Sequence, residues 1–362
     1  MYKLLFPTRD TTLYQRHPTM NTGVDQILEL TKITSGSAID DLVGQYEYWS
    51  TNFNTRILMD FDLRTVSQSI VANSISNPQF FLTVKATEVI HGSIDYTVYA
   101  YPVSGSWRNG TGFYTNNAVV TNGASWTYRD GMDSGREWTV AGGDFYSGSS
   151  YECTQSFNYE SPDIRMDVTK IVRLWLSGSI PQNGFIIKHS STAETDDSVL
   201  GKMKFFSKDT HTIYVPRLEM FWNNVDVSGT GSISEISGDD YVVYIKNLRE
   251  SYREQEVPKI RIGVRERFPA MTYSTSSAYL ATSRLPVTSY YQIMDSVTDE
   301  VIVPFNDPGT KVNCDTNGNY IILDMDSFMP ERFYRIMFKV VASDNSTIEY
   351  TDDNFSFKVY RM

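Results

Sequence analysis

Turn signals cut this chain into pieces of strand length. Asn-Gly occurs at Asn109-Gly110, Asn122-Gly123, Asn183-Gly184 and Asn317-Gly318, and both residue types tolerate the positive φ that tight hairpin turns demand. Between the signals lie short alternating runs at 56–63, 80–84, 96–101, 185–189 and 217–222. Each is bounded by polar or Gly/Pro clusters, which is the pattern of a strand. The composition leans the same way: 24 Tyr and 19 Phe dominate the aromatics, and rings pack well on pleated surfaces. One segment departs. Apolar residues at 168, 171, 172, 175 and 176 follow the spacing of a helix face. Asp167 is placed to cap its first turn and Gly178 to stop it. The pattern predicts an all-β protein with one short helix in a connection.

The chain has 362 residues, enough for about two to three domains. Hydrophobic residues are 41%, which excludes a wholly disordered chain. After Trp222, the polar Asn223-Asn224-Val225-Asp226 and the Ser/Gly-rich stretch 228–238 read as a boundary. Strand patterns resume beyond it. The run 259–265 alternates apolar and basic, 321–326 precedes Pro330, 333–341 puts Tyr334, Ile336, Phe338 and Val340 on one side, and 355–359 follows. That is the rhythm of an immunoglobulin-like sandwich, as one module or two. The expected domains are therefore 1–222 and 223–362. No fixed-period repeat and no heptad stripe is present, so a coiled-coil fibre is not expected.

Chemistry is sparse. A net charge of −11 argues against a nucleic-acid groove, which needs clustered Lys and Arg. Cys153 and Cys314 are far apart, form no CxxC, and predict neither a thiolate zinc site nor, in a protein that is not secreted, a disulfide. The opening apolar stretch is too short for a signal peptide, and no run approaches the length of a membrane span. The expected setting is a cytoplasm or a particle assembled there, which leaves the sequons at Asn109 and Asn345 without significance. The four histidines, His17, His91, His189 and His211, form no HxH or HExxH motif. A metal would need His189 and His211 to converge from adjacent strands. No GxSxG elbow and no phosphate loop exists. The carboxylate pairs Asp196-Asp197, Asp239-Asp240 and Asp352-Asp353 read as solvated loop charges, because neighbours on a strand point to opposite faces. A hydrolase would need convergent carboxylates that the sequence does not display. Asp315-Thr316-Asn317-Gly318-Asn319 resembles a calcium loop but reads better as a hairpin turn. No cofactor is expected, with a loop calcium near Asp25 or Asp144 left open.

An ordered set of fragments resembles the DNRLRE-domain family of carbohydrate-binding-module-like jelly rolls. It begins with Asp10-Thr11-Thr12-Leu13-Tyr14, Asn21-Thr22-Gly23-Val24-Asp25 and Ile27-Leu28-Glu29-Leu30. Arg56-Ile57-Leu58-Met59-Asp60-Phe61-Asp62-Leu63 follows, then Trp107-Arg108-Asn109-Gly110-Thr111-Gly112. Trp126, Trp138 and Gly142-Gly143-Asp144 come next, then Asp167-Val168-Thr169, Trp175 and Asn183-Gly184-Phe185. Phe205-Phe206-Ser207-Lys208-Asp209 and Pro216-Arg217-Leu218 close the set. The resemblance implies an N-terminal jelly-roll sandwich over 1–222, in which Trp107, Trp126, Trp138 and Trp175 fill the core.

The layout, a methionine followed almost at once by the first motif, is similar to that of structural proteins in tailed bacteriophages. It implies a non-enzymatic virion component at the neck, on the tail or as a capsid decoration. Such a protein would contact other virion proteins, form a symmetric homo-oligomer, and neither bind nucleic acid directly nor insert into a membrane. Lys259, Arg261 and Arg265, with Arg267 beyond, form a candidate docking face for an acidic partner, or an edge protected by charge. The alternative is a carbohydrate-binding module that attaches a particle to a bacterial surface glycan. Tyr128, Trp138 and Tyr146 are its candidate contacts, since amphipathic rings stack on sugars.

Overall fold

The computed structural model describes residues 1–33, 38–40, 46–48, 53–72, 75–90, 95–159, 161–227, 233–236, 240–268, 282–341 and 346–361. His91, Asp239, Asn345 and most of the stretch 228–238 lie outside them. The protein is an all-β sandwich assembled mainly from antiparallel sheets. It divides into two compact units. The N-terminal unit comprises Leu5–Ala72 and Gln79–Glu219, and the C-terminal unit comprises Met220–Met362 with Met1–Leu4 and Asn73–Pro78.

The N-terminal unit is organised by one large sheet. Its strand order is Cys153–Asn158, Asp95–Pro102, Phe185–His189, Phe53–Phe61, Ile27–Ile33, Gly201–Phe206 and Ala86–Ile90, with Pro7–Tyr14 also paired to Phe53–Phe61. Phe185–His189 is central and wholly buried. Ile186 lies opposite Leu58 on one neighbour and Tyr101 on the other. Because side chains alternate across a strand, Leu58, Ile186 and Tyr101 share one face. Together with Leu13 they pack against Val103, Trp107, Ala124, Trp126 and Trp138. The opposite face includes Phe185, which meets the expected helix, α1, at Thr169–Leu176. The Asp167 carboxylate accepts the Thr169 N–H at 2.9 Å. Ile171, Val172 and Trp175 are buried, and the Trp175 and Phe185 rings lie 4.6 Å apart. Gly178, at φ +71°, follows the helix end.

Two features depart from the expected pattern. Short helices also form at Arg64–Val71, where only Val66 is buried, and at Ser191–Thr195, where only Glu194 is, so neither carries the apolar stripe that marks α1. Of the four Asn-Gly steps, only Asn317-Gly318 sits at a hairpin, where Asp315 and Gly318 pair. The other three shape loops.

The C-terminal unit pairs two sheets. One has the order Tyr241–Ile245, Lys259–Glu266, Gly318–Ile322 and Asn313–Asp315. The other runs Ser251–Arg253, Ser356–Tyr360, Arg332–Val341, Ser289–Asp295 and Val301–Val303, with Thr347–Tyr350 beside Arg332–Val341. Tyr334, Ile336, Phe338 and Val340 all face its core. The run read at 321–326 stops being a strand at Ile322. There Asp324 accepts the Asp326 N–H and caps a turn of 3-10 helix, Met325–Ser327, an example of a short carboxylate competing with the ladder. Met1–Leu4 are built into this unit. The Trp222 N–H donates to the Met1 carbonyl at 3.0 Å, the Leu4 N–H donates to Ser327 Oγ at 3.0 Å, and Lys3 pairs with Asp324 at 2.6 Å.

Candidate functional site

Between Pro102 and Cys153 the chain makes a long excursion over the Leu58–Ile186–Tyr101 face, with a single 3-10 turn at Met132–Ser134 as its only helix. Such a loop needs other partners for its backbone groups, and Asn21 supplies the most. Its Nδ2 donates to the carbonyls of Asn109, at 2.7 Å, and Ala124, at 2.9 Å. Its Oδ1 accepts the N–H of Gly23, at 3.1 Å, and of Gly112, at 3.0 Å. The amide is fully buried and fully satisfied. Glycine is required around it: a Cβ on Gly112 would strike the Asn21 carbonyl, and one on Gly23 the Asn109 carbonyl.

The tryptophans fix the rest. Trp107 Nε1 donates to the Asn183 carbonyl at 2.7 Å, and Trp138 Nε1 to the Ser125 carbonyl at 2.9 Å. Arg9 lies 4.4 Å over the Trp107 ring and pairs with Asp60 at 2.8 Å. The two carboxylates considered for calcium accept backbone N–H groups in turns. Asp144 accepts from the N–H of Thr139 and Val140, and Asp25 from Ile27 and Tyr114. Among the described residues, no group of three or more His, Cys, Asp or Glu converges as a metal site would require.

Of the candidate glycan contacts, Trp138 is 5% exposed and packed among the other tryptophans. Tyr128 and Tyr146 are half-buried, and the Tyr146 ring leans on Tyr151 at 5.3 Å. The excursion exposes the apolar Phe113, Val119, Met132 and Val140 among polar neighbours such as Asn116, Asp133, Arg136 and Glu137. Met132 is tied to the segment after Val119, since its N–H donates to the Thr121 carbonyl.

Beside this loop lies a buried charge cluster that the sequence patterns did not single out. Glu194, on the short helix Ser191–Thr195, is gripped by both sides of the Arg56 guanidinium, at 3.0 and 2.8 Å, and by Lys188 Nζ at 2.8 Å. Its main-chain carbonyl accepts from Asn54 Nδ2 at 3.1 Å and from Lys32 Nζ at 3.4 Å. Arg56 reaches the Gly142 carbonyl at 2.8 Å and lies over the Trp126 ring. Burial pushes the Lys188 ammonium below its ordinary range despite Glu194 beside it. The available sequence signal was polar intrusion: Lys188 interrupts an otherwise apolar core strand, and Lys32 is fully buried on another.

In the C-terminal unit, Lys259 and Arg261 converge on Asp315, at 2.6 Å each, and Lys259 lies 3.6 Å over the Tyr320 ring. Hydrogen bonds from Arg261 first, then from Lys259, hold the Asp315 carboxyl well below the usual range against its partial burial. Arg265 is exposed and donates to the Glu266 carbonyl. On the expected docking strand, Lys259 and Arg261 thus share a single carboxylate, whereas Arg265 projects into solvent. His189 is buried in the N-terminal core and His211 is exposed. Both cysteines are free, buried thiols. No helix among the described residues is long and apolar enough to cross a membrane.

Compared with known proteins, the chain matches no family and no curated protein.

Proposed function

We propose that this chain is a non-enzymatic structural component of a tailed-phage virion, at its neck, on its tail or on its capsid surface. It acts through contacts with other virion proteins as a symmetric homo-oligomer. The observation that carries the reading is the use made of the motif residues behind the family resemblance. Asn21, Gly23, Asn109 and Gly112 lock to one another, Trp107 to Asn183, Arg56 to Gly142, and the Lys208 N–H to Asp10. These residues are committed to holding a long loop rigid on a sheet. A rigid loop that exposes Phe113, Val119, Met132 and Val140 suits contacts with another protein, since ordering costs little there on binding.

Glycan attachment remains the second reading and has less support. Trp138 already donates its indole N–H to Ser125 and is covered by neighbouring side chains.

The test is mass spectrometry and antibody-gold labelling of gradient-purified particles from cells producing the protein from its native genome. Co-sedimentation with a label at one location is the expected result. Recovery only in the soluble fraction would overturn the virion assignment.

A further inference from the structure

An Asn-Gly step carries its own chemistry. The glycine nitrogen, unshielded by a Cβ, can attack the asparagine side-chain carbonyl carbon wherever the fold lets the two atoms meet. The fold holds three of the four such steps apart. Asn109 Nδ2 donates to the Gly23 carbonyl, its main-chain carbonyl accepts from Asn21 Nδ2, and Gly110 abuts the Asn21 amide. Asn122 Oδ1 accepts the Thr111 N–H at 3.0 Å, and its Nδ2 donates to Thr111 Oγ1 at 2.8 Å. Asn183 Nδ2 donates to the Ser104 carbonyl at 3.2 Å, and its main-chain carbonyl accepts the Trp107 indole N–H. To react, each of these side chains must first give up a contact with a distant part of the chain.

Asn317 is different. It is exposed, at the tip of the hairpin that joins Asn313–Asp315 to Gly318–Ile322. Its N–H donates to Asp315 Oδ1 at 2.9 Å, but among the described residues its side-chain amide has no hydrogen-bond partner. Thr316 beside it is exposed as well, so the tip can open without disturbing the core. The surroundings also suit a new negative charge. Lys259 and Arg261 share the one carboxylate of Asp315, which leaves an excess of one cation. Arg261 Nη1 also donates to the Gly318 carbonyl at 3.3 Å, which ties the tip to the strand Lys259–Glu266.

We propose that Asn317 is a site of spontaneous covalent modification. The Gly318 nitrogen attacks Asn317 Cγ. The new N–Cγ bond forms as the Cγ–Nδ2 bond breaks, and the side-chain nitrogen leaves as ammonia with the proton given up by Gly318. Solvent water then opens the succinimide to aspartate or isoaspartate. The product has one more negative charge than the parent, so the two cations at the tip come to face two carboxylates. The inference concerns this hairpin alone and does not rest on the virion assignment.

The experiment holds the full-length protein at mildly alkaline pH in heavy-oxygen water, with and without urea, and maps its peptides by mass spectrometry over time. In the native protein, Asn317 is expected to convert at least about tenfold faster than Asn109, Asn122 or Asn183, since each of those must first lose hydrogen bonds. Urea should bring all of them to similar rates. Each converted residue should carry heavy oxygen, as hydrolysis by solvent requires. A more acidic species should grow on ion exchange and be absent from Asn317→Gln, whose longer side chain stays in solvent. Three results would overturn the proposal: Asn317 left intact in the native protein, conversion of the other three at the same native rate, or the acidic species undiminished in Asn317→Gln. The first two are read on the parent, so the decision does not depend on how the variant folds.

Discussion

Asn21 and Asn109 hold one another across the mouth of the N-terminal unit. Asn21 Nδ2 donates to the Asn109 carbonyl, and Asn109 Nδ2 donates to the carbonyl of Gly23, two residues beyond Asn21. The pair closes a ring that ties the first loop of the unit to the long excursion. Asn21→Ala removes four buried hydrogen bonds, at about 1 kcal/mol each. A loss of about 4 kcal/mol in urea unfolding is expected, with new trypsin cleavage between residues 103 and 152. A variant as stable and as resistant as the parent would show that the excursion is held elsewhere.

Two glycine substitutions separate crowding from backbone strain. Gly148, at φ +103°, has open space where a Cβ would go, whereas a Cβ on Gly112 would meet the Asn21 carbonyl. Gly148→Ala should cost about 1 kcal/mol, the penalty for an L-residue in the left-handed region. Gly112→Ala should cost at least twice as much, because backbone must move. Equal melting temperatures for the two variants would contradict the contact.

Two buried groups tilt stability with pH in opposite directions. Burial raises the Asp10 carboxyl from 3.8 to about 7, against the opposing Lys208 N–H and charge. Its folded value lies above its unfolded value, so stability falls as pH rises from about 4 through about 7, by on the order of 4 kcal/mol. Burial, with Lys188 nearby, lowers His189 from 6.5 to about 4, and neither ring nitrogen makes a hydrogen bond of normal geometry. Its folded value lies below its unfolded value, so stability falls as pH drops from about 6.5 through about 4. Asp10→Asn should therefore stabilise the protein more at pH 8 than at pH 4.5, and His189→Leu more at pH 4.5 than at pH 8. Parallel curves for parent and variant would refute the corresponding assignment.

Charge reversal on the basic strand should divide by partner. Arg261 makes two bonds to Asp315, at 2.6 and 2.9 Å, and Arg261→Glu places two carboxylates together. A loss of about 1 to 2 kcal/mol is expected for this half-buried pair. Arg265 is exposed, and Arg265→Glu should change stability by less than about 0.5 kcal/mol. Assembly defects in Arg265→Glu with unchanged stability would support docking through this strand, whereas normal assembly would leave Arg265 a solvated charge. The strand is not the edge expected, since it pairs with both Tyr241–Ile245 and Gly318–Ile322.

The strand rhythm was legible because alternation and turn residues are local signals. Tyr334, Ile336, Phe338 and Val340 face the core as their spacing predicts, and α1 buries the face it displays in sequence. The loops were not legible. Asn109-Gly110 and Asn122-Gly123 look like hairpin turns, yet Gly123 packs against Gly110 beside Asn21, about a hundred residues earlier in the chain. Nor was the Glu194 cluster visible, because Lys32, Asn54, Arg56 and Lys188 come from three strands. Their convergence follows from register, Lys32 opposite Asn54 and Ile187 opposite Ile57, which no short window of sequence contains.

The placement of Met1–Leu4 has a consequence for biosynthesis. Tyr2 stacks on Phe221 at 5.8 Å, and Lys3 and Leu4 bond to Asp324 and Ser327. A ribosome therefore delivers these residues more than three hundred positions ahead of some of their partners. Met1–Leu4 cannot complete these contacts until Asp324 and Ser327 have been made, and a product released before then leaves them unmade. Chains ended before Asp324 carry Met1–Leu4 as a segment without these partners, and proteolysis of such truncated products reads that loss directly.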